Sequence, residues 1–287
     1  RPAPTAGGHA GLTYGMRKPG SARSIAGHIS RARWRYAICS KGLNSDAEVI
    51  EMGSKTKIDW ADSSWNPVTG CLHGCEYCYA RKIAERFGAR EIYDPECQCQ
   101  RHLIERGMLK GMGKPLELDY PWKQKNKDGS ITNAAYPFGF EPTFHRYKLD
   151  EPQHWEKPRT IFVCSMADLF GEWVPDEWIQ EVFKACDAAP QHRYIFLTKN
   201  PHRYYDLIEK GILTEHDNWW LGSTIDGDSA KKKRFQERGY NSFVSIEPLL
   251  EPIYVGLGSF GSDEWVIIGA ETGNRKGKVV PDRSWID

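Results

Sequence analysis

From residue 160 onward the chain alternates two kinds of segment, a short run that is apolar on both faces and a longer amphipathic stretch. Thr160–Cys164, Arg193–Thr198, Trp219–Ile225, Ser242–Ile246 and Trp265–Ile268 are the short runs. Strands buried on both faces and separated by helices form a parallel sheet with helical crossovers, because an antiparallel sheet would leave one polar face. One helix is expected from Pro175, at its first position, through Trp178, Ile179, Val182, Phe183 and Cys186, stopping at Pro190. Asn200 and Pro201 open another that Gly211 ends, and Asp228–Arg238 reads as a charged third. The fold class is therefore α/β, a barrel or partial barrel built from β-α units. In such barrels the active site lies at the carboxyl ends of the strands. The segments there are 165–168, 198–200, 223–226, 245–248 and 269–273, and each carries a polar or charged group. One such residue reads as a solvated cap; a whole rim of them favours a ligand site.

Ahead of this series stand Cys71, Cys75 and Cys78, a C-x3-C-x2-C triplet with Tyr77 directly before its third cysteine. It follows a strand-like stretch ending at Val68–Gly70 and precedes a helix over Tyr79–Phe87, whose apolar face is Tyr79, Ile83 and Phe87 and whose stop is Gly88. Three thiolates this close can hold three irons of a cubane cluster and leave the fourth iron without a protein ligand, where most iron-sulfur sites use four. The plainer reading is a structural zinc site completed by His73, a crowded Cys3His knuckle serving a binding module with no catalysis. Gly70 and Gly74 let the loop bend around whatever it binds. Tyr77 is read either as a cover for that group or as a core aromatic.

The spacing and the Tyr77 position resemble the signature of the radical S-adenosylmethionine superfamily. Six separated segments, 58–60, 64–71, 140–144, 165–170, 197–199 and 245–249, look like a family of phage and prophage radical S-adenosylmethionine-like proteins whose substrate is unassigned. The resemblance runs from about Lys55 to the end of the chain. It implies a partial (β/α)6 TIM-like barrel with a long insertion, about 88–157, after the cluster-loop helix. It implies an enzyme holding a [4Fe-4S] cluster on Cys71, Cys75 and Cys78, cleaving S-adenosylmethionine reductively, and served by an electron donor such as flavodoxin or ferredoxin. In that superfamily a Gly-Gly-Glu-like segment after the cluster loop grips the methionyl amine. Ser165-Met166-Ala167-Asp168 stands in its place, so Ser165 and Asp168 take that assignment. Ser223 and Glu247 become ribose or carboxylate contacts, Gly269 and Glu271 the adenine side, and Tyr77 a cover for the cluster or the adenine. Lys199 and Glu247 are the catalytic candidates; Lys199 reads equally as an ion-pair partner of a neighbouring acid.

Residues 1–51 are rich in Gly, Ala, Ser and Arg and read as a disordered or non-native leader, with the domain proper spanning 52–287 from Met52. An Arg-rich, acid-poor leader is also the composition of a transit peptide. The final residues resemble the opening of one more helix, and members of the resembled family continue further, which implies a truncated C-terminus. Of eight cysteines three crowd into the triplet and the rest are scattered, which fits a reducing cytoplasm rather than a secreted disulfide set. Cys97 and Cys99 form a C-x-C pair, too few ligands for a closed site alone. The near-zero net charge of +1 excludes a global field that draws the protein onto polyanions, and no apolar run is long enough to span a bilayer. The substrate is nucleic acid or a protein partner at the level of expectation. Lys231–Arg234 offers a local basic run, and Trp60, Trp65, Trp219 and Trp220 offer rings for stacking, against a solvated helix face and core packing as the plain alternatives.

Overall fold

A computed structural model of the 287-residue chain describes residues 56, 58–88, 92–93, 116–226, 234–252, 265–272 and 275–285. The leader, Cys97, Cys99, Lys231–Lys233, Gly273 and the first half of the expected third helix lie outside these residues.

In chain order the elements are β1 (Ser63–Trp65), β2 (Val68–Thr69), α1 (Tyr79–Phe87), β3 (Ile92–Tyr93), β4 (Leu116–Leu118), β5 (Lys123–Lys125), β6 (Ile131–Asn133) and β7 (Thr143–His145). They continue with β8 (Thr160–Val163), α2 (Asp176–Asp187), β9 (Arg193–Thr198), α3 (His202–Glu209), β10 (Trp219–Thr224), β11 (Asn241–Ile246) and β12 (Trp265–Ile268). Six strands form one parallel sheet in the order β1-β8-β9-β10-β11-β12. After β1 and β8 come together, each strand pairs with the next in sequence, as right-handed β-α crossovers produce. The core under its outer face joins Ile161, Val163, Tyr194, Phe196, Trp219 and Leu221 of the strands to Trp178, Ile179, Val182 and Phe183 of α2.

The sheet curls. Trp60, three residues before β1, has its ring centroid 4.7 Å from Phe162 on β8, 6.4 Å from Phe243 on β11 and 6.2 Å from Trp265 on β12. In a flat sheet β8 and β12, four places apart at about 4.8 Å per place, would stand roughly 19 Å from each other, beyond the reach of one indole. The strands must therefore bend round Trp60. Among the described residues β1 and β12 remain the two edges, so the sheet is open.

Several boundaries differ from expectation. Pro175 precedes α2 instead of occupying its first turn, and α2 ends at Asp187, before Pro190. Arg234–Glu237, the described end of the expected charged helix, is not helical, and Phe235 is fully buried. On α1 the buried positions are Ala80 and Ala84, while Tyr79 and Phe87 are about half exposed. Two small residues one turn apart let the helix lie close to Phe140 and Met166. Gly88 closes α1 in an extended conformation, not a left-handed one.

The expected insertion is not structureless. β3, β5 and β6 form an antiparallel sheet, and β7 pairs antiparallel with β2 and parallel with β4 in a small mixed sheet. Three-residue strands are too short to display the alternation that betrays a strand in sequence. Thr143, Phe144 and His145 of β7 are all buried, so this stretch of the expected insertion is part of the core.

His145 shares one hydrogen bond with Thr69 Oγ1 (2.8 Å) through Nε2 and another with Tyr147 OH (3.3 Å) through Nδ1. Burial, with a smaller push from the Lys148 charge, lowers its pKa to about 3. The unfolded chain, with an ordinary imidazole, takes up a proton first as pH falls. This contribution to stability is complete above pH ~6.5 and drains away toward pH ~3, with about 2 kcal/mol lost between pH 7 and pH 5. Urea unfolding at both pH values is expected to show that loss, and to show it reduced in His145→Gln. An equal loss in both proteins would refute the account.

Candidate functional site

The cysteine loop leaves β2 at Gly70 and enters α1 at Cys78, beside the carboxyl ends of β1 and β8. Gly70 has φ +88 and Gly74 φ +72, both left-handed, as the bend required. Gly70 meets a second constraint, since a Cβ there would stand 2.2 Å from the Glu141 carbonyl oxygen. Its N–H donates to the Met166 carbonyl (2.9 Å) and the Cys71 N–H to the Phe140 carbonyl (3.2 Å), which fixes where the loop begins. At the other end Cys78 caps α1, its Sγ accepting from Arg81 N (3.3 Å).

The three thiols are free and partly covered. Burial, with the charges of Asp168, Cys75 and Cys78 adding to it, pushes the Cys71 thiol up to about 12 against an opposing backbone hydrogen bond from His73. Cys75 and Cys78 thus lie within electrostatic reach of Cys71. Cys71 stays protonated at neutral pH until a metal takes the proton's place. Among the described residues no three His, Cys, Asp or Glu side chains converge tightly enough to hold a single metal ion. His73, the fourth ligand of the zinc reading, has its Nε2 on Asp168 Oδ2 (2.7 Å).

Asp168 is buried and its carboxylate is fully occupied. Oδ1 accepts from Phe170 N (3.0 Å) and the Thr198 hydroxyl (2.7 Å); Oδ2 accepts from Lys199 N (2.9 Å) besides His73. Four donors fill the lone-pair positions of a carboxylate, so none is left for a ligand amine. Ser165 donates its hydroxyl to Asn66 Oδ1 (3.2 Å), and its carbonyl accepts from Tyr79 OH (2.7 Å).

Lys199 points to the inner face, where Nζ donates to Asp226 Oδ2 (2.6 Å) and Tyr77 OH (2.8 Å). Tyr77 OH itself donates to Asp226 Oδ2. Burial first, and the Asp226 hydrogen bond second, hold the Tyr77 phenol far above its ordinary pKa. Tyr77 is thus an anchored loop residue, and Lys199 the ion-pair partner of an acid.

Glu247 lies over Gly269, and a Cβ on residue 269 would collide with its carboxylate at 2.2 Å. Partial burial raises its pKa against hydrogen bonds from Ser245 and Trp60, with Asp59 adding to the rise. Glu271 is buried and receives a bidentate pair from Arg275 (2.7 and 2.8 Å), which holds its carboxyl below the usual range. Arg275 also stands 3.7 Å from Glu76 on the cysteine loop.

Ser223 stands apart from this group. It is fully buried, and its hydroxyl accepts from Phe235 N (2.8 Å) on the outer side of β10. Trp65 and Trp219 are core residues, and Trp60 and Trp220 pack against other rings of the curled sheet. Asp226 closes the strand-end segment 223–226 but receives no role from sequence, and Arg275, four residues after Glu271, lies outside every rim segment.

A family model described as a protein of unknown function (DUF5131) matches residues 55–287. No curated protein matches. Among solved structures, a mutant spore photoproduct lyase with bound AdoMet and dinucleoside spore photoproduct is similar at a TM-score of 0.38 and 11% identity, over 70% of this chain and 49% of that one. A second mutant of that lyase, with dinucleoside spore photoproduct, gives 0.37 and 12% over the same shares. The chain thus spans about half the length of these solved chains. None of these descriptions concerns a phage protein.

Proposed function

We propose that this chain, which belongs to the DUF5131 family of proteins of unknown function, is a radical S-adenosylmethionine enzyme. The observation that carries the reading is the place of the triplet. Cys71, Cys75 and Cys78 sit on one loop at the carboxyl end of a curled parallel sheet, and that loop is bonded to the ends of β8, β9 and β10. The donor set fits a [4Fe-4S] cluster: three thiols outside any disulfide, Cys75 and Cys78 both within electrostatic reach of Cys71, without convergence on a single-ion site, and with the neighbouring imidazole engaged elsewhere. Thiolates on three different irons stand further apart than three ligands of one ion. When bound, such a cluster supplies the electron that splits S-adenosylmethionine into methionine and a 5′-deoxyadenosyl radical.

The remaining roles belong to this chain's own side chains. Glu247, beside a bare glycine and with no cationic partner among the described residues, is the acid at the rim with acceptor capacity to spare for the cosubstrate. Asp168, Lys199 and Glu271 are engaged by protein groups and act on the loop and the strand ends instead. The partial barrel extends the curled sheet, an electron donor of the flavodoxin or ferredoxin kind completes the cycle, and the substrate is nucleic acid or a partner protein.

Anaerobic reconstitution of the full chain with iron and sulfide, followed by dithionite and S-adenosylmethionine, tests the reading. A brown protein that releases 5′-deoxyadenosine is expected. A colourless protein that retains zinc, takes up no iron and yields no nucleoside would overturn it in favour of a binding module.

A further inference from the structure

The carboxyl end of β9 grips the cysteine loop at two points, His73 and Tyr77, which flank Cys75 two residues away on either side. On the first side Asp168 ties the His73 ring to the Thr198 hydroxyl and the Lys199 N–H. On the second, Lys199 Nζ bonds Tyr77 OH and shares Asp226 with it. Two consecutive residues, Thr198 and Lys199, therefore hold both flanks of the central cysteine.

We propose that Asp168 and Lys199 are positioning residues that clamp the cysteine loop to the end of β9 and preset the spacing of Cys71, Cys75 and Cys78 before a cluster arrives. The ligating role of the loop rests on the reading above. A free loop loses about 1–2 kcal/mol of conformational entropy per residue when three of its thiols are fixed. Bonds already made in the cluster-free protein remove part of that cost, the general benefit of preorganisation. These bonds suit the task because both involve ionised groups, which make the stronger hydrogen bonds. The Asp168 carboxylate is also held from two strand ends at once, by Phe170 N after β8 and by Thr198 and Lys199 at β9, so it cannot follow a moving loop. Trp173 backs the His73 ring edge-on at 4.9 Å.

The two arms are separable. Tyr77→Phe cuts the second arm whole, removing the loop's bonds to Lys199 and to Asp226, Lys199→Met removes only the first of these, and His73→Ala cuts the other arm; His73 and Tyr77 lie on the loop and Lys199 at a strand end, none of them in the sheet core. In metal-free protein, amide hydrogen exchange over residues 71–78 is expected to quicken roughly tenfold in Tyr77→Phe and in His73→Ala, the scale of one hydrogen bond to a charged group, and by less in Lys199→Met, which keeps the Tyr77–Asp226 bond. Lys199→Met combined with Tyr77→Phe should be no faster than Tyr77→Phe alone, because Tyr77→Phe already removes the loop's bond to Lys199. Tyr77→Phe combined with His73→Ala should approach ~100-fold, because the arms are independent. Exchange in α2 and β10 should stay at its wild-type rate. Iron uptake by the two-arm variant should slow at least ~tenfold relative to wild type, in proportion to the looser loop.

Loop amides that exchange at the unprotected rate in wild type, or at the wild-type rate in the two-arm variant, would overturn the clamp. So would a parallel rise in α2 and β10, which is the mark of general destabilisation. Wild-type protein that takes up no iron would sink the cluster reading instead, and leave the exchange result to decide the clamp.

Discussion

Cys75→Ala is expected to take up almost no iron on reconstitution, against roughly four per chain for wild type, and to release no detectable 5′-deoxyadenosine. Cys75 is the informative cysteine to remove. Cys71 packs against the small cluster of Ala80, Ala84, Phe140 and Met166, as Cys78 does, and Cys78 also caps α1 with its sulfur, so replacing either one mixes loss of a ligand with loss of a structural contact. Cys75 belongs to neither contact, and its removal should leave the thermal midpoint within about 2 °C of wild type. Unchanged stability beside a lost cluster assigns the effect to ligation. Iron content equal to wild type would count decisively against the cluster.

Gly70→Ala is the second large effect expected. Alanine at φ +88 costs about 1–2 kcal/mol by itself. Its methyl group would also enter the Glu141 carbonyl at 2.2 Å, a backbone atom that no rotamer change can remove. The strands must then part, β2 from β7 or the loop from residues 140–141. A total of roughly 3–5 kcal/mol is expected, which lowers the midpoint by about 10 °C. Gly74→Ala is the control, because its φ is also positive but nothing lies within 4 Å of the added methyl. It should cost only the conformational part. Equal losses in the two variants would show that the close approach at Gly70 contributes nothing.

The parallel sheet was legible because its strands are apolar on both faces, a pattern few other arrangements explain. β9 and β12 agree with their sequence runs to the residue, and α1 does too. Which face α1 buries was not legible. Bulk pointed to Tyr79, Ile83 and Phe87, but close packing on Phe140 favoured the small pair Ala80 and Ala84. A helix nine residues long shows too few turns for periodicity to correct that choice. At the rim, strand-end position brought Lys199, Asp168, Glu247 and Glu271 to notice, and side-chain partners then divided them. Asp168 reads in sequence like any acid after a strand, and only the fold supplies the four donors that occupy it. Ser223 faces outward because strand side chains alternate, and a register error of one residue reverses that assignment. The short strands β3 to β7 left no sequence trace.

The packing of Trp60 carries a consequence for time rather than for shape. Its ring joins a residue before β1 to Trp265 on β12, near opposite ends of the described chain. Contacts so distant in sequence are the slow ones to form. The cysteine loop, by contrast, has the partners of His73 and Tyr77 once Asp226 follows β10, while the Arg275 partner of Glu76 and the rim at Glu247 and Gly269 wait for β11 and β12. During synthesis the site is built from the cysteines outward, with its far wall arriving last.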